Sequence, residues 1–302
     1  MAQLTRFRIG MLSALCFLLI VIGYLIAKPS IPNQRSIRAA LTQHLTEWTG
    51  AIVTIDGSSR LSYFPRLTME IRNVRLTDIK HLPVLREVRA KRMDVRLGFW
   101  SLVSGTPIVD RITLIEPQIK SSSVARITTE STVPSEAPAL MQALSTAPFD
   151  QFVLEKGVIT IAGPESSEEF RDVNAKLNLR PSTGANSSRG SFVWRDQTLT
   201  FNYDGGGPRQ VAKAVKIPVS LTIDGDLMTA VIEGNATISD GLRVTGNLDL
   251  DIPNLSRFAK WTGILVPDDQ KRGDFSATGS FHWVGHRIGF DEGTFVLDGN
   301  KA

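Results

Sequence analysis

From Ala51 onward the chain alternates. Leu67, Met69 and Ile71 are apolar while Thr68, Glu70 and Arg72 are polar; at Asn73 the phase slips by one, and Val74 and Leu76 carry the apolar side onward. Met93, Val95 and Leu97 alternate with Asp94 and Arg96, and Val173, Ala175, Leu177 and Leu179 with Asn174, Lys176 and Asn178. Val215, Ile217, Val219, Leu221 and Ile223 alternate with Lys216, Pro218, Ser220 and Thr222, and Leu248, Leu250 and Ile252 with Asp249 and Asp251. A period of two is the signature of strands with one face hidden and one face wet. Breaks such as "DGS", "DGGG", "DGD", "EGN" and "DGN" punctuate the pattern as hairpin turns would. Pro218, which cannot donate to a ladder, marks an edge or a bulge. The expectation is a mainly β chain, whose apolar face must be covered by its own core or by another molecule.

Helical signals are few. After "KPSIPNQ", whose prolines deny a helix, Ile37, Ala40, Leu41, His44, Leu45 and Trp48 recur at helical spacing, and Gly50 suits a left-handed stop. This predicts a compact amphipathic helix plugging the end of a core. Shorter helical pieces are expected at "FWSLVSG" and "PNLSRFAKWTG". Residues 121–148, rich in Ser, Thr, Ala and Pro, read as a loop. The organisation is therefore 1–28 as an anchor, 29–50 as linker and amphipathic helix, 51–120 as a first β segment, 121–148 as loop and 149–302 as a second β segment. "GTFVLDGNKA" ends on a strand and a turn signal, which predicts that the sheet continues beyond residue 302.

The anchor is an uncharged run of 19 residues, Ile9 to Ala27. At about 1.5 Å per residue it nearly spans a hydrocarbon core of about 30 Å. Arg6 and Arg8 before it favour a cytoplasmic N-terminus, and "YLIAKPS" is a poor cleavage site for a signal peptide. The expectation is a single-pass membrane protein with its body on the far side. Cys16, the only cysteine, lies inside this run after "LSAL", which does not end in the small residue a lipidated cysteine follows. No internal disulfide is possible. The formal net charge is +4, but Lys and Arg are scattered without a run or an aromatic-interleaved patch, so no nucleic-acid partner is expected.

Nothing in the residues argues for catalysis, a metal or a cofactor. His282 and His286 stand four apart in an alternating, glycine-bearing context, where strand geometry separates them by about 13 Å. No GxSxG, GxxxxGK[ST], HExxH or calcium-loop pattern occurs, and Gly205 to Gly207 lack the Lys and Ser/Thr of a phosphate cradle. The chain is expected not to be an enzyme.

The order of these elements resembles the AsmA family of the Gram-negative envelope across nearly the whole chain. The resemblance is carried by "LTEWTGAIVTIDG", "LSYFPRLTMEIRNVRLTD" and "VLREVRAKRMDVRLGFWSLVSGTPIVDRITLIEPQIK", and further on by "FVLEKGVITIAG", "FRDVNAKLNLRP" and "LRVTGNLDLDIPNLSRFAKWTGI". Two features depart from it: many members are longer, and a glycine-asparagine-tryptophan element that many carry is not seen after Lys120. The resemblance implies a long, twisted, curled antiparallel sheet forming an apolar groove, anchored in the inner membrane with its body in the periplasm. It implies phospholipid as ligand, lipid transport between the membranes as role, and an outer-membrane or periplasmic protein as a possible partner. The residues then expected on the groove are Leu67, Met69, Ile71, Met93, Val95, Leu97, Leu177, Val215, Ile217, Val219, Leu221 and Ile223. The competing reading is an assembly factor for outer-membrane proteins or polysaccharide, closed as a β-sandwich on its own core.

Overall fold

The computed structural model describes residues 34–62, 66–82, 84–98, 108–121, 147–162, 167–179, 185–206, 216–238, 242–264, 273–284 and 287–301. The expected anchor, the "FWSLVSG" helix, Val215, His286 and most of the 121–148 loop lie outside them. No helix of the described residues is long and apolar enough to cross a membrane.

The chain opens with α1 (Gln34–Thr49) and then builds one sheet of fifteen strands. These are β1 (Ile52–Ile55), β2 (Ser59–Ser62), β3 (Thr68–Thr77), β4 (Leu85–Leu97), β5 (Val109–Ser121), β6 (Gln151–Ala162), β7 (Ser167–Asn178) and β8 (Ala185–Trp194). β9 (Gln197–Gly206), β10 (Ile217–Gly225), β11 (Met228–Ile238) and β12 (Leu242–Ile252) follow. After the short helix α2 (Leu255–Thr262) come β13 (Phe275–Val284), β14 (Arg287–Leu297) and β15 (Asn300–Lys301). From β3 to β15 each strand pairs with the next in sequence, and the sheet stays open and curled. β1 and β2 share one edge of β3, interrupted at Gly57, where a methyl group would overlap the Arg72 carbonyl.

The expectation of a wholly antiparallel sheet needs one correction: β5 and β6 run parallel, paired from Arg111↔Gln151 to Ser121↔Ile161. A parallel neighbour requires the chain to return the full length of the strand before pairing, which a hairpin cannot do. The long Ser/Thr/Pro-rich connection is the crossover that this seam demands. It also means that the two β segments are joined edge to edge in one sheet.

The phase slip at Asn73 turns out to recur. Apolar inner positions are spaced by three rather than two at Ile71/Val74, Ala90/Met93, Leu114/Pro117, Leu154/Gly157 and Phe170/Val173, on five consecutive strands. The residue just before the second member is left-handed at Asn73, Glu116, Lys156 and Asp172, with φ of 52°, 50°, 53° and 46°. An extra residue in that conformation bends a strand and restores its facing. Because neighbouring strands carry it at the same level, the sheet creases as a unit and its apolar face stays inward. Pro117 sits on this crease, where its missing N–H costs no ladder bond, and Gly157 opposite makes room for its ring.

Along the inner face of β3–β7 lies one core cluster of 25 buried residues, to which α1 contributes Ile37, Leu41 and Leu45. Trp48 on α1 meets Phe149 edge-on at 4.9 Å between ring centres, and Arg38 Nη2 donates to the Ile55 carbonyl at 2.8 Å. The sequence expectation of a helix plugging a core holds. α2 likewise forms where "PNLSRFAKWTG" predicted it: the Asn254 side chain accepts from the Arg257 N–H, and Gly263 is left-handed at φ 79°.

Candidate functional site

The strand registers place one apolar residue on each of twelve strands in an unbroken transverse row. It runs Ile71, Met93, Leu114, Leu154, Ala175, Gly190, Phe201, Ile223, Ala230, Leu250, Ala277 and Phe295. A second row beside it runs from Met69 through Val95, Ile112, Phe152, Leu177, Ser188, Tyr203, Leu221, Ile232 and Leu248 to Gly279 and Gly293. One position away, the opposite face reads Glu70, Asp94, Thr113, Val153, Lys176, Arg189, Asn202, Thr222, Val231, Asp249, Thr278 and Thr294. One face of the whole sheet is apolar and the other largely polar.

The apolar face is not covered evenly. Leu67, Met69, Ile71, Met93, Val95 and Leu97 are all buried, with Met69, Ile71 and Val95 at 0% exposure, inside the cluster that α1 completes. Beyond β8 that cluster gives way, among the described residues, to two small ones. Leu199, Leu227 and Trp261 form the first, and Ala236, Val244 and Phe281 the second. Leu177, Val219, Leu221 and Ile223 are half-buried, and Ile217 is buried opposite Ala236. Trp283 and Phe290, on β13 and β14, are 36% and 40% exposed. The expected residues thus share one face, but they divide into a fully packed part and, Ile217 apart, a half-buried part.

Reading the sequence missed Phe192, Phe201, Tyr203, Phe275 and Phe295 on this face. Leu199, Phe201 and Tyr203 alternate with threonine and asparagine and were legible; Phe192 was not, because Ser188 and Gly190 occupy the inward positions before it. Burial, and then the Asp204 carboxylate, push the Tyr203 hydroxyl above its ordinary value.

Small residues set the curvature of the distal face. Gly234 and Gly246 face each other across β11 and β12, and Gly279 faces Gly293 across β13 and β14. A methyl group on Gly234, Gly246 or Gly279 would overlap a carbonyl oxygen of the neighbouring strand, so only glycine permits the strands this approach.

One end of the uncovered stretch is closed by α2. Trp261 Nε1 donates to the Trp194 carbonyl at 3.1 Å, and Arg195 Nη1 donates to the Thr262 carbonyl at 2.6 Å. Arg195 Nη2 lies 2.6 Å from Glu168 Oε1, and Trp194 Nε1 donates to Glu168 Oε2 at 2.8 Å. The hydrogen bonds from Arg195 and then Trp194 hold the Glu168 carboxyl below its ordinary value. This clamp ties β7, the β8–β9 turn and α2 together.

Among the described residues no group of three or more His, Cys, Asp or Glu side chains is arranged to hold a metal ion. His282 Nδ1 instead lies 3.0 Å from Asp291 Oδ1. The features define a class: an open, curled β-sheet with a polar outer face, an apolar inner face, and a helix-packed core at its N-terminal end. Comparison with protein-family models, with curated proteins and with solved structures finds no match to this chain.

Proposed function

We propose that this chain is an inner-membrane-anchored periplasmic protein of the AsmA-like kind. In this reading it holds phospholipid acyl chains in an apolar groove formed by the uncovered inner face of β8–β14, and supports lipid movement towards the outer membrane. The observation that carries the reading is the unbroken apolar row whose N-terminal part is packed under α1, while among the described residues the distal part is met only at one end, where Trp261 and Phe258 of α2 pack beside Leu199 and Ile223. A face of that extent needs a partner, because large contiguous apolar patches are not left in water. Seven strands about 4.8 Å apart make a stretch of about 30 Å, comparable with a hydrocarbon core two acyl chains thick. Acyl chains would lie along the row with head groups in water. Each methylene gains about 0.8 kcal/mol wherever it is buried, so lipid slides along the row without a deep trap. No catalytic residue, metal or cofactor enters this mechanism, and a periplasmic or outer-membrane protein would receive lipid at the far end.

The enclosed state of Met69, Ile71 and Val95 favours a second reading for the N-terminal part. There the sheet serves as a self-contained structural core, and the protein acts as an assembly factor. Photo-crosslinking residues placed at Tyr203, Leu221 and Leu250 of the full-length chain separate the two, with Leu114 as the packed control. Phospholipid adducts at the three distal positions and none at 114, read by mass spectrometry, are the expected result. No adduct at any distal position overturns the lipid reading and leaves the assembly factor.

A further inference from the structure

We infer that the outer face of β3–β5 is a docking surface for an anionic lipid bilayer, on which the N-terminal end of the sheet rests. The inference uses the anchor reading above for its geometry and does not depend on lipid in the groove. Charge along the chain is unevenly divided: residues 51–121 carry twelve Lys and Arg against seven Asp and Glu, while residues 147–302 carry sixteen against twenty. The excess is not diffuse. Arg72 stands directly opposite Arg92 and Arg75 opposite Arg89 across β3 and β4, and Arg96 opposite Arg111 across β4 and β5.

Like charges directly opposed on one face of a sheet destabilise it, so three such pairs on adjacent strands are costly unless something anionic faces them. The chain's own acids answer only part of this charge: Glu70 pairs with Arg72 at 2.9 Å, Asp94 with Arg92 at 3.2 Å and Glu116 with Lys91 at 2.9 Å. Glu87 alone serves Arg75 at 3.7 Å, Arg89 at 2.5 Å and Lys120 at 3.6 Å. Among the described residues Arg111 Nε donates to the neutral Gln151 Oε1, at 2.7 Å. Burial and the neighbouring Arg111 and Arg66 guanidiniums push Arg96 below its ordinary value, and the Asp110 carboxylate offsets this only in part. Between the Arg75–Arg89 pair and the crease lies a cleft of about 450 Å³, where Arg75, Arg89, Lys91 and Lys156 outnumber Asp56 and Glu116 in the lining.

The bilayer, rather than a soluble polyanion, is selected by reach. Six residues, or seven Cα-to-Cα steps, separate Ala27, the end of the apolar run, from Gln34, the first residue of α1. Fully extended they span about 25 Å. Arg38 is bonded to Ile55 of β1, which pairs with Val74 of β3, so the chain arrives beside the first strands and holds them near the surface the run enters. Each arginine near an anionic surface shifts partitioning about fivefold, and the contact is screened by salt.

The test uses the full-length protein with Cys16→Ser, reconstituted in nanodiscs of phosphatidylcholine alone or with phosphatidylglycerol added. Single cysteines replace Gln118, in the same transverse row as Arg75 and Arg89, or Asn202 on the distal outer face. The expected result is that a bulky maleimide labels position 118 about tenfold more slowly in the anionic discs, and that roughly 0.5 M salt restores the rate. Position 202 is unaffected. Arg72→Gln with Arg92→Gln removes most of the slowing; because the same change releases Glu70 and Asp94, which face each other, thermal melting is used to show that the variant is still folded. Equal labelling in both discs, slowing that salt does not reverse, or slowing by a soluble polyanion but not by the anionic lipid overturns the inference. Lipid crosslinking in the distal groove is read separately, so either proposal can fail while the other stands.

Discussion

Leu114→Asp and Leu221→Asp place the same carboxylate on the same face of the same sheet, five strands apart. Leu114 is 5% exposed within the core cluster that α1 completes. Leu221 is half-buried between Tyr203 and Ile232 and belongs to no core cluster. Truncating a buried leucine costs about 2–5 kcal/mol. The new carboxyl at 114 must also shed water or take up a proton, and a shift of two to three pKa units adds about 3–4 kcal/mol. The total, about 5–9 kcal/mol, is comparable with the whole stability of a domain. At 221 only about half of the 1.5–3 kcal/mol of full leucine burial is lost, about 1 kcal/mol, and the carboxylate keeps its water. The difference is at least about 4 kcal/mol, roughly a thousandfold in the unfolding equilibrium. Urea unfolding of the detergent-solubilised protein, with hydrogen exchange read separately for β3–β7 and β9–β12, measures both. Leu114→Asp should lose protection throughout β3–β7. Leu221→Asp should melt nearly as the parent yet carry less phospholipid on the far side of position 221. Equal destabilisation by the two substitutions would refute the reasoning, because it would mean that the distal face is packed as tightly as the proximal one.

Gly246→Val should cost about 1–3 kcal/mol or more by driving β11 and β12 apart at the Glu233 carbonyl. Gly299→Ala, in open space at φ 74°, should cost only the backbone strain of about 1–2 kcal/mol; thermal melting that ranks them the other way would remove the close-approach argument. Glu168 has a folded-state pKa below its ordinary 4.5, so its contribution is fully present above that value and lost as pH falls through the lower, folded value. Glu168→Gln should therefore flatten the acid limb of a melting-temperature profile, by no more than about 1 kcal/mol because the pair is exposed. Asp94 and Asp110, which burial raises, act in the opposite sense and favour the fold as pH falls through their window. An unchanged acid limb in Glu168→Gln would show that the clamp with Arg195 is not formed in solution.

Much of the fold is legible in single residues. Period-two alternation depends only on which side of a pleat a side chain leaves, so β3, β4, β7, β10 and β12 could be read directly. α2 declared itself through Asn254 and Gly263 at its ends, since capping is a local hydrogen-bonding matter. The slip at Asn73 was equally visible, but its repetition on four further strands was not. Glu116 and Lys156 carry no propensity for a left-handed backbone, and only the alignment of neighbouring strands shows that they form one crease. The parallel seam between β5 and β6 was hidden for a related reason: a strand's alternation is the same whichever way its neighbour runs. Above all, Met69 and Leu221 look alike in sequence, each an apolar residue between polar ones. The tertiary structure alone decides that α1 lies over one and no described element over the other. Pattern determines which face is apolar; what covers that face depends on contacts between residues far apart in the chain.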